Sequence, residues 1–254
     1  MTLPQNAGKN WSRDELILAL FLYCQIPFNR AHSRDPEIVK WSGIVGRTPS
    51  SLSFKLGNFG SLDATLAAKG IKGLVNIGKM DRQVWDEFHG DWAMLVSEAA
   101  RILEERDVEP TPELASSPPG PSETEQLTRV RRHQQFFRSA ILSSYQEKCC
   151  ICSFDLPALL VASHIVPWAE NEKTRVDPQN GLCLCSIHDK AFDSGLMAVD
   201  PDHIIHMSSA VQDSTCPAVK RFLADFDRSR IIAPSRFPPN PSFLEWHLEH
   251  RFAP

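Results

Sequence analysis

No segment of this 254-residue chain approaches the ~18 continuous apolar residues that a bilayer-spanning helix needs, so no membrane partner is expected. Residues 1 to 9 hold no apolar signal core, which argues against export. Internal repeats are absent. Strong charge of either sign is missing as well. With 27 Lys and Arg against 31 Asp and Glu the net charge is −4, which excludes a chain-wide grip on a polyanion. Any contact with nucleic acid must come from local basic patches. Disulfide-scaffold usage is also lacking, because the seven cysteines are an odd number and cluster at short spacings. That pattern suits the reducing cytoplasm, which is the expected location.

What is present is enough for two modest domains, with an ordinary hydrophobic fraction of 42%. The expected division is a helical domain over 1–106, a Pro/Ser-rich linker over 107–125 and a second domain over 126–254. Residues 11 to 24 read as a first helix, with Ser12 and Glu15 as a capping box and Leu16, Leu20 and Tyr23 on one face. Asp35 and Pro36 open a second helix, Gly46 to Pro49 make a turn, and Thr48 caps a third helix carrying Leu52, Leu56 and Phe59. Helix, short turn and helix is the shape of a helix-turn-helix, though any small helical domain contains such a corner. Residues 81 to 105 read as further helix. The run from Glu109 to Ser122 is rich in Pro and Ser and has no periodicity, the composition of an extended linker.

The second domain is organised around Cys149 to Asp193. Cys149 and Cys152 have two residues between them, as do Cys185 and His188. Each spacing lets two side chains turn onto one tetrahedral ion, and four Cys/His ligands with no open position form the structural zinc pattern. One pair alone could equally be a redox dithiol, but two pairs flanking a strand-like run point to zinc. Cys150 and Cys183 fall outside this spacing. Between the pairs, Ala158 to Ala162 reads as a buried strand that delivers His164 at its end. Residues 182 to 184 read as a second strand, and Ser186 to Asp193 as a short helix ended by Gly195.

His164 in SHIVPW, Asn180 in NGLCLC and the segment HDKAFDSG together resemble the HNH endonuclease family, the ββα-metal nucleases. Arg132 to Cys149 and Phe243 to Phe252 are similar to the flanks of bacterial members, including restriction and phage-defence nucleases. The resemblance covers about the last half of the chain. The fold class it implies is mainly α with a small α+β unit, in which a helical domain precedes a zinc-bracketed ββα-metal domain. It implies metal-dependent hydrolysis of DNA, with His164 as general base, Asn180 holding the loop or the imidazole, and Asp189 ligating catalytic magnesium or manganese. Asp193 is either a second ligand or a brace for the helix end. Residue 163 is Ser where many relatives carry a metal-binding Asp.

The basic cluster Arg129, Arg131, Arg132 and Arg138 on the opening helix of the second domain is the expected phosphate contact, with Arg47 and Lys55 from the helical domain. A solvated helix face is the alternative. One such site cuts one strand at a time, which leaves room for a homodimer. Two other classes compete with the nuclease. One is a zinc-containing nucleic-acid-binding protein that has lost cleavage, as Ser163 suggests; the other is a thiol enzyme built on Cys149 and Cys152, which lacks the expected strand and helix pattern.

Overall fold

The computed structural model describes residues 6, 8–70, 77–108 and 125–254. The predicted linker lies outside them apart from its ends. The described residues are mainly helical with two small two-stranded sheets, and the chain divides into two compact units, Met1–Ser143 and Ser144–Pro254. No helix among the described residues is long and apolar enough to cross a membrane.

The first unit is built on α1 (Arg13–Gln25). Ser12 caps it through the expected capping box with Glu15. One apolar face was expected, but every residue from Glu15 to Cys24 is buried. The reason is that α1 is surrounded. It packs against α2 (Pro36–Val45), α3 (Pro49–Leu62), α5 (Lys79–Phe88) and α6 (Trp92–Glu105), with α4 (Ala64–Ala68) against α3. Burying each of its large apolar side chains contributes about 2 kcal/mol. Asp35 and Thr48 cap α2 and α3 as expected, and Gly46 ends α2 in the left-handed region at φ 80°. The expected helix over 81–105 is interrupted. Gly90 at φ 103° and the Asp91 cap split it into α5 and α6.

The helix α7 (Glu125–Ser144) was expected to open the second domain, yet it falls almost wholly in the first unit. Apolar contact decides this. Phe136 stacks on Phe21 at 5.6 Å between ring centroids, and the Ser143 hydroxyl donates to the Cys24 carbonyl at 2.9 Å.

The second unit holds the antiparallel pair β1 (Leu160–His164) and β2 (Gly181–Cys185), followed directly by α8 (Ser186–Asp193). The first strand begins two residues later than expected and includes His164. Register pairs Leu160 with Cys185 at one end of the hairpin and His164 with Gly181 at the other. A second antiparallel pair, β3 (Met197–Val199) and β4 (Ile205–Met207), leads to the short α9 (Ser209–Gln212) and α10 (Pro217–Phe222). The closing α11 (Pro241–His250) packs on β3. Its His247 is buried and stacks on Phe192 of α8 at 3.7 Å. Gly195 ends α8 at φ 71°, where a Cβ would collide with the Arg251 carbonyl oxygen, so only glycine lets the C-terminal segment dock there.

Candidate functional site

The hairpin presents different chemistry at its two ends. At the Leu160–Cys185 end, the ligand atoms of Cys149, Cys152, Cys185 and His188 all lie within 4.8 Å of one another. The sequence puts them there locally. The Cys149–Cys152 turn is fastened to β2 by the Cys150 N–H donating to the Cys183 carbonyl at 2.8 Å, and His188 sits one turn into α8 from Cys185. Individual separations are 3.9 Å for Cys152 to Cys185, 3.5 Å for Cys149 to His188 Nδ1 and 3.1 Å for Cys185 to His188 Nδ1. With metal–sulfur bonds of about 2.3 Å, the edge of a tetrahedron is about 3.8 Å, so the donors stand near the corners of one coordination shell. Cys150 and Cys183 are buried outside the cluster.

The electrostatics agree. The Cys149 thiol donates toward Cys185, which with the His188 contact holds Cys185 as a thiolate with a pKa of about 3, while Cys149 itself is pushed up by the same bond and by burial. A thiolate already poised among buried thiols and an imidazole is a site that takes a structural metal such as zinc.

At the other end, the His164 imidazole is half-buried, and burial pushes its pKa below the usual histidine value. Its Nε2 lies 3.0 Å from the Arg175 carbonyl oxygen. A carbonyl only accepts, so Nε2 carries the proton and the basic lone pair of the neutral ring is on Nδ1. The Trp168 ring meets the imidazole edge-on at 5.6 Å.

Asn180, fully buried, holds the loop after β1. Its Oδ1 accepts from the Val166 N–H at 2.8 Å, and its Nδ2 donates to the carbonyls of Val166 at 3.0 Å and Thr174 at 3.2 Å.

Asp189 and Asp193 lie four residues apart on α8 and so share a face, while His188 and Phe192 occupy the buried side. Burial raises the Asp189 pKa, and the Asp193 charge adds to the effect. The Asp193 charge also acts on His164, opposing in part the effect of burial there. The buried Ser163 hydroxyl is close enough to favour the charged form of Asp189 but reaches no hydrogen-bond partner in proper geometry. The Asp193 charge and the orphaned Ser163 hydroxyl thus both bear on Asp189, while among the described residues the group with its ligand atoms gathered for an ion is the Cys149, Cys152, Cys185 and His188 cluster.

Residues 149–200 match the model of the HNH endonuclease family. The second unit carries an HNH nuclease domain. No curated protein matches the chain. An HNH domain implies a nucleic-acid substrate, and both the metal cluster and the His164 end of the hairpin lie inside the matched segment.

Two of the expected DNA contacts are corrected by the structure. Arg47 is 4% exposed and spends its guanidinium on Glu15 at 2.6 Å and on the carbonyls of Asn6, Lys9 and Asn10. Lys55 is bound to both carboxylate oxygens of Asp81 at 2.9 Å. Both pin helices together. Arg129, Arg131 and Arg138 are exposed on α7, and Arg132 pairs with Glu104 at 2.7 Å, all within the first unit and not in the HNH domain.

The sequence reading missed Trp168 and Arg175. The Arg175 carbonyl fixes the imidazole, its Nε donates to the Trp168 carbonyl at 2.7 Å, and its guanidinium lies 5.3 Å over the Trp168 ring. The signal was a Trp four residues after His164 and a lone Arg in an otherwise polar loop.

Proposed function

We propose that the chain is a metal-dependent endonuclease that hydrolyses DNA phosphodiester bonds, in a restriction or phage-defence setting, with His164 as general base. The observation that carries this reading is the His164 imidazole. Burial keeps it neutral and the Arg175 carbonyl sets its tautomer, in the neighbourhood of Asp189, Asp193 and Ser163. Nδ1 takes the proton of the attacking water. Asn180 holds the Val166 turn and so keeps the base on station. Asp189, with Asp193, would hold magnesium or manganese, which when bound neutralises the charge growing on the leaving oxygen. The Arg175 guanidinium pairs with Glu172 at 3.0 Å and lies over the Trp168 ring, which holds the loop beside the base. Zinc at Cys149, Cys152, Cys185 and His188 would fasten the β1–β2–α8 unit. The first unit would choose or position the DNA, through Arg129, Arg131, Arg132 and Arg138 on α7.

A second reading is favoured by one residue. Ser163 brings no carboxylate to the metal, as a nucleic-acid-binding protein without cleavage would permit. Plasmid cleavage in magnesium or manganese, on unmodified and base-modified DNA, separates the two. His164→Ala should reduce cleavage by about a hundredfold or more with the metal content unchanged. Asp189→Ala should be partly restored by raising the metal concentration. Tight DNA binding by the parent without cleavage on any of these substrates would replace the nuclease with the binding protein.

A further inference from the structure

The HNH domain has a second concave surface, away from His164. A cavity of about 480 Å³ opens against the metal cluster, whose Cys152, Cys185 and His188 form its floor, between the Cys149–Cys152 turn, the start of α8 and α10. It lies at the Leu160–Cys185 end of the hairpin, about 13 Å from His164 at four strand steps of 3.3 Å each. A molecule bound there leaves the His164 end open.

The walls are apolar and aromatic, formed by Phe154, Leu159, Ile187, Phe222 and Phe226. The described residues of the second unit expose five large apolar side chains, Leu156, Leu159, Ile187, Phe222 and Ile232. Three of the five line this groove and Leu156 precedes Leu159 by one turn, so the exposed apolar surface is concentrated here rather than scattered. The helix α10 has no buried residue at all. A helix with no buried face gains little from the fold it belongs to, and a partner seated in the groove would complete its packing.

The charge at the rim says what kind of partner fits. Arg221 is the one Lys or Arg among the lining residues, no carboxylate lines the cavity, and Lys220 is exposed beside it on α10. His188 also lines the cavity, and its Nε2 is buried without a hydrogen-bond partner. The Phe226 ring meets that imidazole edge-on at 5.3 Å, so His188 adds to the wall of the groove and offers no contact to its occupant. Phosphate backbone is the wrong match, because a nucleic acid needs several cations and offers little to apolar walls.

We propose that this groove docks an acidic peptide segment of another protein, with a bulky apolar side chain in the cavity and carboxylates on Arg221 and Lys220. The test is selection of a phage-displayed random dodecapeptide library on the metal-loaded full chain, followed by fluorescence anisotropy with the best synthetic peptide. Enriched peptides should pair Leu, Ile, Phe or Trp with Asp or Glu. Ile187→Asp and Phe222→Asp should each weaken binding tenfold or more while metal content and circular dichroism stay unchanged. Arg221→Glu should weaken it too, and exchanging the acids of the peptide for Lys should restore binding to that variant. No enrichment, neutral or basic peptides, or equal binding to the Phe222→Asp protein would overturn the proposal. So would a parent that self-associates in sedimentation and loses that association in Phe222→Asp, because the groove would then hold a second copy of the chain. None of these readouts depends on DNA cleavage, so the groove and the nuclease reading stand or fall separately.

Discussion

Asn180 closes a two-way hydrogen-bond clasp on Val166, accepting from its N–H at 2.8 Å and donating to its carbonyl at 3.0 Å. A carboxamide supplies the acceptor oxygen and the two N–H donors that these three bonds need. Asn180→Asp keeps the acceptor and loses the donors, leaving the Val166 and Thr174 carbonyls without that partner. A stability loss of about 2 kcal/mol is expected in urea denaturation. Cleavage should fall more than stability explains at temperatures where the protein is folded, because the clasp sits two residues from His164. A variant with parental cleavage would remove Asn180 from the positioning of the base.

On the proposed mechanism, the pH dependence of cleavage follows from the direction of the His164 shift. A base must be unprotonated, and burial lowers the pKa of this imidazole below the usual histidine value of about 6.5. The acid limb of the rate profile should therefore have its midpoint below pH 6.5, with a plateau through neutral pH. A midpoint above 7 would assign the limb to another group.

Metal content tests the four-ligand cluster. Purified protein should carry about one zinc per chain, and Cys152→Ser should lower that content sharply while Cys150→Ser leaves it nearly unchanged. Chelation should unfold the HNH domain, read as loss of tryptophan fluorescence change around Trp168 and Trp246 on denaturation. Metal-free protein that retains the parental unfolding transition would exclude a structural role for the cluster.

Arg47 separates stability from DNA binding. Arg47→Met leaves Glu15 buried without its main counter-charge, at a cost of about 3 kcal/mol or more. The first unit should melt earlier, while DNA affinity below that temperature should match the parent. A selective loss of DNA affinity with unchanged melting would restore Arg47 to the nucleic-acid surface.

Acid should act through His247. Its folded pKa is about 4, depressed chiefly by burial, against about 6.5 in an unfolded chain. The stabilising contribution is complete above pH 6.5 and is lost as pH falls toward 4, because the unfolded chain takes up the proton first. The full effect is about 3 kcal/mol, so His247→Phe, which keeps the stack on Phe192, should flatten the fall in stability between pH 6.5 and 4. A parallel fall in both proteins would give the effect to other groups.

The parts of the site that were readable in the sequence are those fixed over short distances. Cys149 with Cys152, and Cys185 with His188, announce themselves because two-residue spacing and a tetrahedral shell impose each other. The caps Ser12, Asp35 and Thr48 were readable for the same reason, since a cap acts within three residues. What failed was pairing across long separations. Arg47 reaches Glu15 over 32 positions and Lys55 reaches Asp81 over 26, and nothing local distinguishes a buried cation from a DNA-facing one. The placement of α7 failed likewise. Its arginines were read as the start of the nuclease, whereas Phe136 against Phe21 decides which core it joins.

His188 and Asp189 are consecutive in α8, one turned to the metal cluster and the other toward Ser163. Mutational drift is therefore channelled. A change at His188 removes a ligand from a buried shell and threatens folding, so selection for a stable chain acts against it whether or not the chain cuts anything. A change at half-buried Asp189 or exposed Asp193 spares the shell, so on the proposed roles a lineage would lose cleavage in one step and keep its fold. Reversion is equally short. On the same roles, cutting and non-cutting descendants of this architecture would stand a single codon apart, diverging at residue 189.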